Sequence, residues 1–141
     1  MSQQAPENPN LRILVVDDDR HIRTIACAML KRAGYGKVSS TDDPLNAIRR
    51  MQRGLVDIAF LDWSLPTMSG IEVLRSIRAN DEDLPIIMFT AHSDREHVME
   101  AFKAGATDYI SKPFNQSTLI GKLNEVLEKL KQRKRQQDQI S

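Results

Sequence analysis

From Leu11 to Leu130, short apolar runs alternate with longer stretches of helical period. The runs Arg12 to Val16, Lys37 to Ser40, Asp57 to Leu61, Ile86 to Thr90 and Asp108 to Ser111 have the length and apolar or β-branched content of strands. Between them, apolar residues recur three and four apart, as on one face of a helix. The helices carry their own punctuation. The first, from about Arg20 to Ala33, meets a left-handed cap at Gly34. The second opens on Asp43 and Pro44 and closes at Gly54, while the third turns Ile71, Val73, Leu74 and Ile77 inward. Ser93 and Glu96 predict a capping box for the fourth, which bears Val98, Met99 and Phe102 and ends at Gly105. The fifth starts near Gln116 with Asn115 as cap, and Leu119, Ile120, Leu123, Val126, Leu127 and Leu130 predict a stripe facing the sheet.

Five such units predict an α/β fold: a five-stranded parallel sheet in the order 2-1-3-4-5, doubly wound with five helices, as in flavodoxin-like folds. In that order the first and third strands are neighbours, and a ligand crevice opens beyond their carboxyl ends. At 141 residues the chain fits one domain, able to bury roughly two-thirds of its unfolded surface without staples. The expected division is a disordered lead over residues 1–10, a folded domain over 11–130 and a basic, frayed tail over 131–141. That tail begins in a run from Lys129 to Arg135 and reads as a solvated helix end rather than a docking arm.

Charge and cysteine content narrow the class. Twenty Lys and Arg against nineteen Asp and Glu give a net charge of +1, so no overall field favours nucleic acid or membrane. Cys27, the single cysteine, lies in a helical apolar stripe and is read as a packing residue. No apolar stretch approaches the roughly 18 residues of a membrane span, and the polar start is no signal peptide. A reducing cytoplasm is the default location.

Chemistry gathers at the strand tips. Asp17, Asp18 and Asp19 follow the first strand and Asp62 follows the third. Crowded carboxylates must bind a cation or take up protons. Asp19 reads as a helix cap, whereas Asp62 ends a buried apolar run and needs a compensating partner. Thr90 and Lys112 at the next two tips add a hydroxyl and an ammonium. Together these groups suit phosphoryl transfer, with Asp62 as a carboxylate nucleophile beside a hard divalent ion. His21 and His97 have no zinc-like spacing.

Asp17-Asp18, the segment Leu61 to Gly70 around Asp62, Thr90-Ala91, and Tyr109 before Lys112-Pro113 resemble the receiver domain of two-component response regulators. The resemblance spans about Leu11 to Leu130. It implies that Asp62 is the phosphoacceptor, receiving a phosphoryl group from a sensor histidine kinase or a phosphotransfer protein. It further implies that Asp17, Asp18, Asp62 and the Ser64 main-chain carbonyl hold Mg²⁺, for which Mn²⁺ can substitute. Thr90 and Tyr109 would be the switch pair, Lys112 would contact phosphoryl oxygens, and the Lys112-Pro113 bond would be cis. The switched surface would be that of the fourth helix, fifth strand and fifth helix.

Ser64 and His92 occupy positions that tune dephosphorylation in that family, and His92 reads as solvated. Trp63 reads as packing over the third-strand loop. The expectation is a stand-alone cytoplasmic module, monomeric or dimerising on phosphorylation, that switches contacts with a downstream protein. It would have no intrinsic DNA-binding domain, and its catalysis would be limited to its own phosphorylation and slow autodephosphorylation. An aspartyl phosphatase would need a second carboxylate where Ser64 stands, and three aspartates after the first strand would repel a flavin phosphate. A partner-binding pseudo-receiver would not need the Asp62, Thr90 and Lys112 set.

Overall fold

The computed structural model describes residues 5–91 and 94–140, with the side chain of residue 140 left out. The expectations for His92 and Ser93 therefore lie outside the described residues. Five strands, β1 (Arg12–Val16), β2 (Lys37–Thr41), β3 (Ile58–Asp62), β4 (Ile86–Thr90) and β5 (Asp108–Ser111), form one parallel sheet in the order β2-β1-β3-β4-β5. Helices α1 (Arg20–Arg32), α2 (Pro44–Gln52), α3 (Gly70–Arg78), α4 (Arg95–Lys103) and α5 (Gln116–Ile140) link and cover the strands. This is the doubly wound arrangement that the alternating pattern predicts.

Period two along each strand builds two cores. Leu14, Val16, Ala59, Leu61, Ile86 and Met88 point to one face, where α2 and α3 supply Ile48, Met51, Leu74 and Ile77. Ile13, Val15, Ile58, Phe60, Ile87 and Phe89 point to the other, against Ala26 and Leu30 of α1 and Leu119, Leu123 and Val126 of α5. Because both faces are covered, β3 and β4 are buried throughout. Phe89 sits in a stack of rings, its centroid 5.2 Å from Phe60 and 4.9 Å from Phe114. Truncating either central ring to alanine would cost about 3–5 kcal/mol.

Helix boundaries follow local chemistry. Asp19 caps α1 by accepting from the His21 N–H at 2.8 Å, and Asp43 caps α2 by accepting from Leu45. Asn115 caps α5 by accepting from the Thr118 N–H. Gly34, just beyond α1, has φ +107°, a conformation that a side chain strains.

The N-cap residue of α4 is Asp94. Three details depart from expectation. Met99 and Phe102 are 46% and 45% exposed, and the buried member of α4 is Ala101. The stretch expected to fray instead continues α5 as helix through residue 140. Finally, residues 5–10 lie against the body: the Gly36 N–H donates to the Pro9 carbonyl at 3.1 Å, and Glu7 pairs with Lys131. Prolines at 6 and 9 restrict this segment to few conformations, which lowers the entropy lost on docking.

Candidate functional site

Strand register creates the site. Val16 of β1 pairs with Leu61 of β3, so the next residues, Asp17 and Asp62, emerge side by side at the carboxyl end of the sheet. Asp17 is fully buried and Asp62 is 5% exposed, whereas Asp18 is exposed. Carboxylate oxygens of all three lie within 4.8 Å of one another. Lys112 reaches this group from beyond β5. Its Nζ donates to Asp17 Oδ2 at 2.7 Å and to Asp62 Oδ1 at 3.0 Å. The turn that carries it is fixed by a hydrogen bond from the Lys112 N–H to the Thr90 carbonyl at 2.8 Å, and the Lys112–Pro113 peptide is cis.

Asp17 is held on every side. Its N–H donates to the Thr41 carbonyl, its Oδ1 accepts from the Asp19 N–H at 2.9 Å, and its own carbonyl accepts from Arg23 Nη1 at 2.8 Å. Such wiring fixes the carboxylate before any ligand arrives, which is the condition for electrostatic preorganisation. Asp62 is anchored through its neighbours: the Trp63 N–H donates to the Phe89 carbonyl at 3.0 Å, and the Gly70 N–H donates to the Trp63 carbonyl at 2.7 Å. A Cβ at Gly70 would run into the Asp62 carbonyl, so this close approach of α3 to β3 admits only glycine.

Electrostatics separate the groups. Burial pushes the Asp62 carboxyl up to about 6, assisted by Asp17 and opposed by the Lys112 ion pair and the Ser64 backbone N–H. Burial works to lower Lys112, but its ties to Asp17 and Asp62 outweigh that and hold it above the usual lysine range. Three carboxylates face one ammonium, leaving an excess of two negative charges in a partly desolvated crevice. The donors are all oxygen, as a hard divalent cation requires. The residues present therefore fit Mg²⁺.

The remaining sequence candidates fall around this centre. Thr90 ends β4 and is 2% exposed. Tyr109 of β5 is partly buried, its ring edge-on to Phe102 with centroids 6.2 Å apart and Lys122 Nζ 5.8 Å from its centre. Ser64 is exposed. Trp63 packs against the α2–α3 core and meets the His97 ring edge-on at 5.2 Å, so the residue after Asp62 touches α4. Sequence reading missed Arg23 and His97 as neighbours of the site. Arg23, six residues after Asp17 on the first helical turn, was the one with a readable signal.

Fold and crevice together define a doubly wound α/β domain with an acidic, lysine-bridged crevice at the carboxyl end of its sheet. The family model described as the response regulator receiver domain matches residues 13–124, and the chain belongs to that family. The chemotaxis protein CheY-3 of Vibrio cholerae serotype O1 is 40% identical over 129 residues, covering 90% of this chain and 99% of that protein. The chemotaxis protein CheY of Pseudomonas aeruginosa is 34% identical over 122 residues, covering 85% and 98%. A high-resolution structure of the V. cholerae chemotaxis response regulator CheY4 superposes with a TM-score of 0.78 at 32% identity, covering 83% and 98%. This chain is thus a CheY-like response regulator receiver of two-component signalling. Membership implies contacts with a histidine kinase and with downstream targets. No helix among the described residues is long and apolar enough to cross a membrane.

Proposed function

We propose that Asp62 accepts a phosphoryl group from a phosphohistidine on a sensor kinase or phosphotransfer protein. An ionised Asp62 oxygen attacks phosphorus, the P–N bond breaks, and its electron pair leaves on the imidazole nitrogen, which takes up a proton. Asp17 and Asp18, with Asp62 and the Ser64 main-chain carbonyl, would hold the Mg²⁺. Bound there, the ion would neutralise the crevice and the charge on the phosphoryl oxygens. The observation that carries this reading is the convergence of Asp17, Asp62 and Lys112, whose ammonium already bridges two carboxylates and can turn to a phosphoryl oxygen.

The product carries about −1.5 to −2 charge on its phosphoryl oxygens beside Thr90 and Lys112, where the carboxylate carried one. Thr90 would move toward it and Tyr109 would follow inward. Support for a readable consequence comes from α4, where the exposed Phe102 leans on Tyr109 and the exposed Met99 stands one helical turn before it. A shift of the tyrosine ring would therefore alter an apolar surface formed by α4, β5 and α5. The chain acts as a switch whose catalysis is confined to its own aspartate, working in the cytoplasm. Ser64 stands where a dedicated aspartyl phosphatase would need an acid. Incubation with acetyl phosphate and Mg²⁺, read by intact mass, should give one phosphoryl adduct on the wild type and none on Asp62→Ala. A wild type that stays unmodified at saturating Mg²⁺ overturns the reading.

A further inference from the structure

A cleft of about 1000 Å³ lies between the docked lead, the residues just after α1, and α5, and shares no lining residue with the acidic crevice. Its size is at the upper end of small-ligand pockets. Leu11, Tyr35, Ile120 and Leu127 supply apolar wall. Two polar side chains in this wall have hydrogen-bonding capacity to spare. Tyr35 is 4% exposed, and its hydroxyl makes no hydrogen bond among the described residues. Gln116 donates through Nε2 to the Met29 carbonyl at 3.0 Å, while its Oε1 is buried without a partner. A buried polar atom without a partner is uncommon, and the Gln116 oxygen near an unbonded Tyr35 hydroxyl calls for a ligand able to satisfy both. The tyrosine hydroxyl can donate, and the glutamine oxygen must accept.

Charge at the rim decides the rest. Glu7 and Glu128 stand against Lys131 and Lys134, and Glu7 is already paired with Lys131. The rim is balanced, so a charged ligand gains no net attraction there.

The geometry points to a binding site for a neutral amphiphile: an apolar body carrying one amide or hydroxyl that accepts from Tyr35 and donates to Gln116. The lead forms its outer wall, with Pro6 against Gly34 and Pro9 tied to Gly36. The site is separate from the phosphoryl chemistry and does not depend on it.

Octanamide is a suitable probe, read by amide chemical-shift mapping of the full chain. Binding near Tyr35, Ile120 and Leu127 is expected with Kd of about 0.1–1 mM for so small a molecule. Tyr35→Phe and Gln116→Leu should each weaken it about five-fold or more, with unfolding midpoints measured alongside to show that the fold persists. Ile120→Trp should abolish binding by filling the cleft, and octanoate should bind more weakly than the amide. Absence of shifts at several times that concentration, shifts confined to another face, or full affinity in a folded Tyr35→Phe variant would each overturn the proposal.

Discussion

The two ends of the β1–β3 pair carry the same chemistry in opposite settings. At the amino end, Arg12 meets Asp57 through two side-chain contacts of 2.9 and 3.1 Å, with side chains 43% and 35% exposed. At the carboxyl end, Lys112 meets Asp17 and Asp62, with side chains 18%, 0% and 7% exposed. Below, one cation serves one carboxylate in water, and hydrogen bonding by Arg12 holds Asp57 beneath the usual carboxylate range. Above, one cation serves two buried carboxylates beside a third, and burial drives Asp62 up to about 6. An ion pair that balances is a fastener, while an ion cluster left in deficit is a binding site.

The sharpest break between the two ends should appear in phosphorylation. Lys112→Met is expected to slow adduct formation from acetyl phosphate by about 10²–10³-fold, on the scale of losing one preorganised charge contact. Arg12→Met should leave that rate unchanged, as time-resolved intact mass would show.

Stability should respond with opposite signs. Asp62→Asn removes a carboxylate whose ionised form is disfavoured, so denaturant unfolding without Mg²⁺ at pH 8 should show a gain of about 1–3 kcal/mol. Asp57→Asn should show a loss below about 1 kcal/mol, as exposed pairs do. Gly70→Ala, which forces α3 away from the Asp62 carbonyl, should destabilise by about 1–3 kcal/mol. It should also slow adduct formation.

The pH dependence sharpens the same contrast. The folded protein holds Asp62 protonated up to about 6, above the ordinary 3.8. Its contribution is therefore complete at low pH and disappears as pH rises from 3.8 through about 6. Asp57 has a depressed value, so its contribution is present above 3.8 and is lost as pH falls through the folded value. The stability gain of Asp62→Asn over wild type should hence grow between pH 4 and about 7 and then level off in calorimetric scans. The smallest effect should be that of salt. Raising NaCl to about 1 M should remove only a few tenths of a kcal/mol from the exposed Arg12–Asp57 pair, measured as the difference between wild type and Asp57→Asn.

Much of this was legible in the chain. Asp43-Pro44 and Asn115 marked helix starts, and Gly34 marked a stop, because capping depends on local backbone geometry. Asp62 stood out because a carboxylate at the end of a buried strand needs a partner. Other features were invisible. Nothing local says that Met99 and Phe102 of α4 face outward, since an amphipathic period marks a face without saying whether anything covers it. Gly70 stands inside the segment around Asp62, but only the approach of α3 to the Asp62 carbonyl gives it a cause. Nor does anything local mark Arg78, whose guanidinium joins the Gly105, Asp81 and Leu84 carbonyls and ties α3 to the starts of β4 and β5.

By itself, the sequence determined the elements, their caps, the two-faced strands and which residue types stand at the strand tips, because these depend on neighbours within a few positions. Tertiary structure alone decided which tips meet. The pairing of Val16 with Leu61 brings Asp17 beside Asp62, and the turn after β5 carries Lys112 between them. Charge crowding, and with it the raised Asp62 and the fit to a divalent cation, arises from that through-space meeting of residues 45 and 50 positions apart, since electrostatic coupling depends on distance and burial rather than on order along the chain.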